Sequence, residues 1–277
     1  MESYNKYLKY KKKYLSLKKQ LGGSIDEFLT KLTANIEQLK EIGRGGAGIV
    51  YLDETQPDVV FKMSEKANIC REWTSESLIY NRLNEENIDE KLCKLIKMHN
   101  YKVDSESCIM ELTRAKNPID ISLDYTIQPQ FGMSDLDYTY RGRGRFLGIT
   151  ELIKENIFTN ENIKEYVKDL ALVISKLHYK IKNDAYDLEL FLSLDNNLSD
   201  ATNNIVIYIG DFDLSKFITE YDKKTIQRLE WALTAVPYFP TIEQPELFEI
   251  FKYNYILEAS KYSLQEVATQ VIDLYSK

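Results

Sequence analysis

Three glycines and a lysine form the clearest chemical pattern in the sequence. The segment IGRGGAGIVY starts at Ile42. Its three glycines of interest are Gly43, Gly45 and Gly48. Lys62 ends the apolar run VVFK, twelve residues after Val50. Glycines let backbone N–H groups approach phosphate oxygens closely, because no side chain stands in the way. The pattern predicts a phosphate-covering loop flanked by Ile42 and Val50, with Lys62 as the cation that binds the phosphates.

The residues after the glycines distinguish two kinds of nucleotide site. A dinucleotide-binding fold places a helix directly after its glycine loop. Here residues 49–52 are mostly β-branched or aromatic, and a polar turn with Pro57 precedes another β-rich run at residues 58–63. Such runs are typical of strands, so we expect the loop to join two strands and Lys62 to lie on a third. The alternative is an ordinary hairpin whose lysine faces solvent.

Carboxylates at two later positions would complete a phosphate site. Glu72 and Glu76 lie one turn apart on a helix predicted over residues 66–83, so either can face the strand lysine. Asp211 and Asp213 follow the strongly apolar run IVIYIG. Because Mg²⁺ prefers oxygen ligands, Asp211 is the predicted magnesium ligand. The alternative is that these aspartates are only turn residues.

In this order, the glycine loop, strand lysine, helix glutamate and aspartate resemble the nucleotide site of protein kinases. The resemblance covers about residues 36–220 and fades toward the C-terminus. It implies an α+β, two-lobed protein-kinase-like fold with a mainly β N-lobe and a compact, mainly α C-lobe, and with ATP and Mg²⁺ as cofactors. Glu76 matches the family's helix glutamate better than Glu72, since it opens the pattern ExxIYxxL.

The segment SCIMELT, residues 107–113, resembles the hinge that joins the two lobes of a kinase. Met110 would guard the back of the adenine site. Glu111 and Thr113 would then offer backbone hydrogen bonds to the adenine edge.

The catalytic loop agrees less well with the kinase pattern H-R-D-L-x-x-x-x-N. Alignment on Asp-Leu puts Asp187 at the catalytic aspartate and Leu192 at the metal-binding asparagine. Leucine cannot ligate magnesium, so Glu189 or Asp213 is the expected substitute. Asp184 remains a competing choice for the catalytic residue.

Two functions follow from the resemblance. The first is transfer of the γ-phosphoryl group of ATP to a hydroxyl acceptor, with protein serine or threonine as the default and a small molecule as the alternative. The second is a pseudokinase, a nucleotide-binding interaction or scaffold protein. The loss of the histidine, arginine and asparagine around Asp187 favours the second function, whereas the nearly complete phosphate half favours the first.

Composition sets broad limits on the protein. A chain of 277 residues with 44% hydrophobic content can bury a substantial core. No run approaches eighteen apolar residues, so no membrane span is expected. The cysteines are Cys70, Cys93 and Cys108. Their odd number and lack of metal-ligand spacing favour a reducing compartment, hence the cytoplasm, and the two histidines argue against a zinc site.

Charge is distributed unevenly along the chain. Residues 1–20 hold seven of the 36 basic residues and one of the 43 acidic ones. The acidic remainder makes nucleic acid an improbable partner for the main domain. The basic segment is predicted to be a solvated helix, with an anionic partner or a removable leader as alternatives. Its KYLKYKxKYLxLKxQxGG pattern resembles a leader found on giant DNA virus proteins, which implies host cytoplasm or the virion.

Three segments are therefore expected: a basic helical extension at residues 1–23, an N-lobe at residues 24–113, and residues 114–277 with the hinge, an irregular insert and a shortened C-lobe. The insert contains the run YRGRGRFLG. Its arginines, Arg141, Arg143 and Arg145, are expected on a solvated loop, with phosphate, RNA or an acidic partner as alternative ligands.

Overall fold

The computed structural model describes residues 39–103, 107–120, 126–140, 144–195 and 204–277. The helical extension predicted for residues 1–23 lies outside the described residues, as do Arg141 and Arg143.

The described chain contains eleven strands and six helices, which follow one another in groups. The strands are β1 (Lys40–Arg44), β2 (Ile49–Leu52), β3 (Val59–Ser64), β4 (Cys93–Leu95), β5 (Met98–Val103), β6 (Cys108–Thr113), β7 (Thr126–Gln130), β8 (Asp137–Tyr140), β9 (Gly144–Gly148), β10 (Glu189–Leu194) and β11 (Ile205–Gly210). The helices are α1 (Ala67–Glu86), α2 (Ile149–Lys154), α3 (Asn162–Lys176), α4 (Lys223–Thr234), α5 (Pro245–Ser260) and α6 (Gln265–Tyr275). A π-helical turn, Leu177–Ile181, continues α3.

The first sheet contains five antiparallel strands in the order β1-β2-β3-β6-β5. The glycine loop joins β1 to β2, as the β-rich runs predicted, and β3 carries Lys62. Gly48 is required here by close packing. A Cβ atom at this position would lie 2.3 Å from the carbonyl oxygen of Met63 and 3.1 Å from the ring of Trp73. Gly45 has open space instead.

Helix α1 packs against this sheet through its buried apolar face, which includes Trp73, Tyr80 and Leu83. It ends at Asn87, whose left-handed backbone lets its N–H donate to the carbonyl of Leu83. A disulfide between Cys70 and Cys108 joins the first turns of α1 to the start of β6. The odd number of cysteines did not predict this bond.

The second sheet has six strands in the order β4-β11-β10-β7-β9-β8. Strands β7, β8 and β9 occupy the region where the sequence predicted an irregular insert, and this prediction is wrong. The expectation of a solvated arginine loop also fails for Arg145. Its guanidinium group pairs with Asp137 at 2.7 Å and with Glu155 at 2.9 Å, so it ties β8 and β9 to the end of α2.

The C-terminal part contains the helices α3 to α6, with α3 packed against α5 and α6 against both α4 and α5. His178, in the π-helical turn, is fully buried, and its Nδ1 lies 2.7 Å from the hydroxyl of Tyr255. Burial lowers the pKa of His178 to about 3, so it is a neutral packing residue. The protein is thus an α+β chain with a sheet-rich N-terminal part and a helical C-terminal part. The strands β7 to β11 of the second sheet also lie in the C-terminal part of the sequence.

The contrast between Gly48 and Gly45 gives a test of the first sheet. Gly48→Ala should destabilise the protein by about 1–3 kcal/mol, because the new methyl group forces the Met63 backbone and the Trp73 ring to move. Gly45→Ala is the matched control and should change the free energy of unfolding by less than about 0.5 kcal/mol. Urea unfolding measures both variants. Equal losses would contradict the packing described for Gly48.

Candidate nucleotide-binding site

The candidate site is organised around the ammonium group of Lys62. Its Nζ lies 2.7 Å from Asp211 Oδ1 and 3.7 Å from Glu76 Oε2, and 5.0 Å from the ring centroid of Trp73. Burial opposes the charge on Lys62, but the carboxylates of Asp211 and Glu76 outweigh it and raise its pKa above the usual value. Glu76 from α1 and Asp211 from the segment after β11 therefore meet at the ammonium group of Lys62, as expected from the sequence.

Helix α1 holds the aspartate segment as well as the lysine. Glu76 Oε1 accepts a hydrogen bond from the backbone N–H of Phe212 at 3.2 Å, and the N–H of Asp211 donates to the hydroxyl of Tyr80 at 3.1 Å. Glu76 and Tyr80 are one turn apart, so one face of α1 makes both contacts. Glu72 is exposed and takes no part. Burial raises the pKa of Glu76 to about 7, and Lys62 opposes this shift.

Further carboxylates surround the end of β11. The β10–β11 pairing sets Glu189 opposite Gly210, directly before Asp211. Burial, followed by repulsion from Asp211, raises the pKa of Glu189 to about 8. The same two causes raise the pKa of Asp187 and of Asp213. These carboxyl groups therefore lie close enough to repel one another, and a bound cation would favour their ionised forms.

These oxygen donors are of the type that Mg²⁺ binds. Asp211, Asp213 and Glu189 are the residues that would hold it, as predicted from the sequence. No group of three or more His, Cys, Asp or Glu side chains within the described residues is already arranged in ligand geometry.

A cavity of about 220 Å³ opens beside Lys62. Its apolar walls come from the first sheet on one side and from β10 on the other; the residues are Ile42, Val50, Val60, Leu112 and Phe191. Lys62, Glu189 and Asp211 form its polar end, and Gly43 lies at its rim. The cavity can therefore take a flat apolar group with an anionic end, and Phe191 is a lining residue that the sequence analysis missed.

The predicted hinge residues are placed differently from one another. Glu111 lies inside the first sheet, paired with Phe61 on one side and Asn100 on the other, so its backbone faces neighbouring strands rather than the cavity. Thr113 lines the cavity, but its N–H donates to Lys97 O at 2.9 Å. Met110 is fully buried.

The wall of the cavity is instead formed by residues 112–115. The N–H of Arg114 is also committed, since it donates to Asp58 O at 2.9 Å. The segment that lines the cavity therefore begins at Leu112, one residue after Glu111, and continues two residues beyond Thr113, to Ala115.

The two candidate catalytic aspartates lie in different environments. Asp184 is 2% exposed, and its carboxylate pairs with Arg228 and accepts the N–H of Lys216 at 2.8 Å. Asp187 is exposed and lies close enough to Asp211 for the two charges to interact. Leu192 is fully buried between β7 and β11 and has no role in ligand binding. Asp187 is therefore the more accessible of the two aspartates.

Comparison of the sequence with protein-family models and with curated proteins finds no match. The chemistry of the site must be inferred from its own contacts. Within the residues that the structure covers, no helix is long and apolar enough to cross a membrane.

The raised pKa of Glu189 predicts a pH-dependent stability. The folded protein keeps the Glu189 proton between pH 4.5 and about 8, where the unfolded chain releases it, so stability falls as pH rises through this range. Glu189→Gln removes this titration. The variant should match the wild type near pH 4.5 and exceed its free energy of unfolding by on the order of 1–3 kcal/mol above pH 8.

Urea unfolding at several pH values, without nucleotide or metal, measures this difference. Glu243→Gln, at an exposed glutamate, is the control and should stay parallel to the wild type. A constant offset for Glu189→Gln at all pH values would contradict the described burial of Glu189.

Proposed function

We propose that this protein binds ATP with Mg²⁺ in the cavity beside Lys62 and transfers the γ-phosphoryl group to a hydroxyl acceptor. The observation that carries the proposal is the meeting of Lys62, Glu76 and Asp211 at the polar end of an apolar cavity. Protein kinases use a lysine on the third strand, a glutamate on the following helix and a metal-binding aspartate in these roles. A two-lobed kinase-like fold is part of the same proposal.

Each residue has a role in the proposed reaction. Lys62 binds phosphate oxygens, and Glu76 and Trp73 keep its ammonium group in place. Bound Mg²⁺ would neutralise charge on the phosphates, held by Asp211 with Glu189 or Asp213. Asp187 orients the acceptor hydroxyl and accepts its proton. As the acceptor oxygen bonds to the γ-phosphorus, the bond from that phosphorus to the bridging oxygen breaks and ADP leaves. Catalysis of this kind is mostly positioning and charge neutralisation.

The acceptor class follows from the resemblance rather than from a pocket. A serine or threonine hydroxyl of a protein is the proposed acceptor, because Asp187 is exposed. A small-molecule hydroxyl is the alternative.

A pseudokinase is the second candidate, and two observations favour it. Asp211, the proposed metal ligand, is bound directly to Lys62, and the position of the second metal ligand in the family pattern is the buried Leu192. In this case the protein would bind nucleotide as an interaction module and transfer nothing.

Nucleotide binding is tested by thermal unfolding with ATP, in the presence and absence of Mg²⁺. ATP with Mg²⁺ should stabilise the wild type by about 2.7 kcal/mol at a concentration 100-fold above its Kd. Lys62→Ala and Asp211→Asn should lose most of this stabilisation, whereas Lys97→Met, which removes an exposed lysine, should keep it. If ATP leaves the wild-type unfolding curve unchanged, both kinase-derived functions are wrong.

Transfer is tested with radiolabelled ATP in the same variants and in two aspartate variants. Asp187→Asn should reduce transfer by about 10²–10⁴-fold and leave ATP binding intact, because it removes only the acceptor's base. Asp184→Asn should chiefly lower the unfolding temperature, since it breaks a buried pair. Stabilisation by ATP without any transfer selects the pseudokinase, and the reverse result for the two aspartates assigns the base to Asp184.

A further inference from the structure

We propose that Arg228 is a positioning residue for the acceptor side of the site. It joins the loop of residues 183–188 to the segment of residues 211–216 and thereby sets Asp187 opposite Asp211. The inference rests on the proposed function for its catalytic meaning, although the contact network itself is independent of any ligand.

Arg228 lies in α4, more than forty residues after the loop that it contacts. Its Nε donates to Asp184 Oδ2, and its Nη2 donates to the carbonyl oxygen of Leu214 at 3.0 Å. Its guanidinium carbon lies 4.8 Å from the ring centroid of Tyr186, a cation–π distance. One planar group therefore contacts both segments at once, which a lysine ammonium cannot do with the same geometry.

Asp184 also binds both segments through its other carboxylate oxygen and through its backbone N–H. Oδ1 accepts the N–H groups of Lys216 at 2.8 Å and Tyr186 at 3.2 Å, and the N–H of Asp184 donates to Lys216 O at 2.9 Å. The hydroxyl of Ser215 donates to Tyr186 O at 2.9 Å. Arg228 at Oδ2 and the two N–H groups at Oδ1 occupy the Asp184 carboxylate, so this carboxylate anchors the loop and is not free to act as a base.

The backbone next to this anchor needs such support. Ala185 and Asp187 have φ angles of 49° and 64°, and Asp211, on the other segment, has 60°. Left-handed conformations of non-glycine residues are unfavourable and persist only where surrounding contacts fix them. The two strained residues of the loop, Ala185 and Asp187, lie one and three residues after Asp184. Asp187 and Asp211, the two aspartates of the proposed reaction, both have a left-handed backbone conformation. Loss of the pair should therefore relax the loop that carries Asp187.

The nucleotide side of the site is built from other contacts. Lys62, Glu76 and Tyr80 belong to β3 and α1, and the structure shows them joined to Asp211 and Phe212 without Arg228. Removing Arg228 should consequently separate the two halves of the function: ATP binding is kept, and transfer to the acceptor is lost.

The test compares Arg228→Met, Arg228→Lys and the control Lys224→Met, which removes a positive charge from the exposed side of the same helix. Arg228→Met should lower kcat by about 100-fold, since misplacement of a reacting group by about 1 Å costs this much. Its KM for ATP should stay within about twofold of the wild type. Arg228→Lys should recover part of kcat, and Lys224→Met should be unchanged. A fall in ATP binding equal to the fall in kcat would overturn the assignment.

Amide hydrogen exchange gives a readout that needs no activity. In Arg228→Met, the amides of Tyr186 and Lys216 should exchange about tenfold faster or more, whereas amides of β3 should not change. Unchanged exchange at these two amides overturns the proposal, and if Arg228→Met does not fold, the milder Arg228→Lys decides by the same amides. A wild type that neither binds ATP nor transfers phosphate overturns the proposed function instead, and exchange still decides the role of Arg228.

Discussion

The ion pairs that the Lys62 ammonium group makes with Asp211 and Glu76 constrain the rest of this structure. Lys62 reaches Asp211 at 2.7 Å and faces Glu76. Glu76 belongs to α1, the element that follows β3, whereas Asp211 lies 149 residues after Lys62. A buried charge without a partner would be strongly destabilising, so the strand, the helix and the aspartate segment must stay in mutual register. The carboxyl groups of Glu189, Asp187 and Asp213 lie close enough to Asp211 for repulsion to raise their pKa values, and a cation bound among them would favour their ionised forms.

The site has two halves that are held by different means. On the nucleotide side, one face of α1 fixes the aspartate segment through Glu76 and Tyr80, and Trp73 contacts both the lysine and the glycine loop. On the proposed acceptor side, the ion pair of Asp184 and Arg228 holds the left-handed backbone at Ala185 and Asp187 in place. The two halves meet at Asp211. A change in either half can therefore be separated experimentally from a change in the other.

Glycine spacing, β-rich runs and helical spacing predicted the strands around the glycine loop and helix α1, because each depends on neighbouring residues. The expectation that Glu76 and Asp211 lie beside Lys62 came from the resemblance to protein kinases. Features set by long-range pairing were not predicted. Strand β7 pairs with β10, β9 with β7 and β8 with β9, and Arg228 meets Asp184 across 44 residues. Of the two hinge residues that the resemblance implied, Thr113 lines the cavity and Glu111 pairs within the sheet, which only the strand pairing shows.

The central claim is that Lys62 meets the phosphates of bound ATP. The most direct measurement is labelling with an acyl-phosphate derivative of ATP, which transfers its acyl group to a lysine amine beside the phosphates, followed by mass spectrometry of the peptides. The account predicts that Lys62 is acylated and that excess ATP with Mg²⁺ blocks its labelling. Exposed lysines such as Lys66 and Lys97 should react slowly and without protection. Labelling of surface lysines alone, or labelling of Lys62 that ATP does not reduce, would contradict the claim.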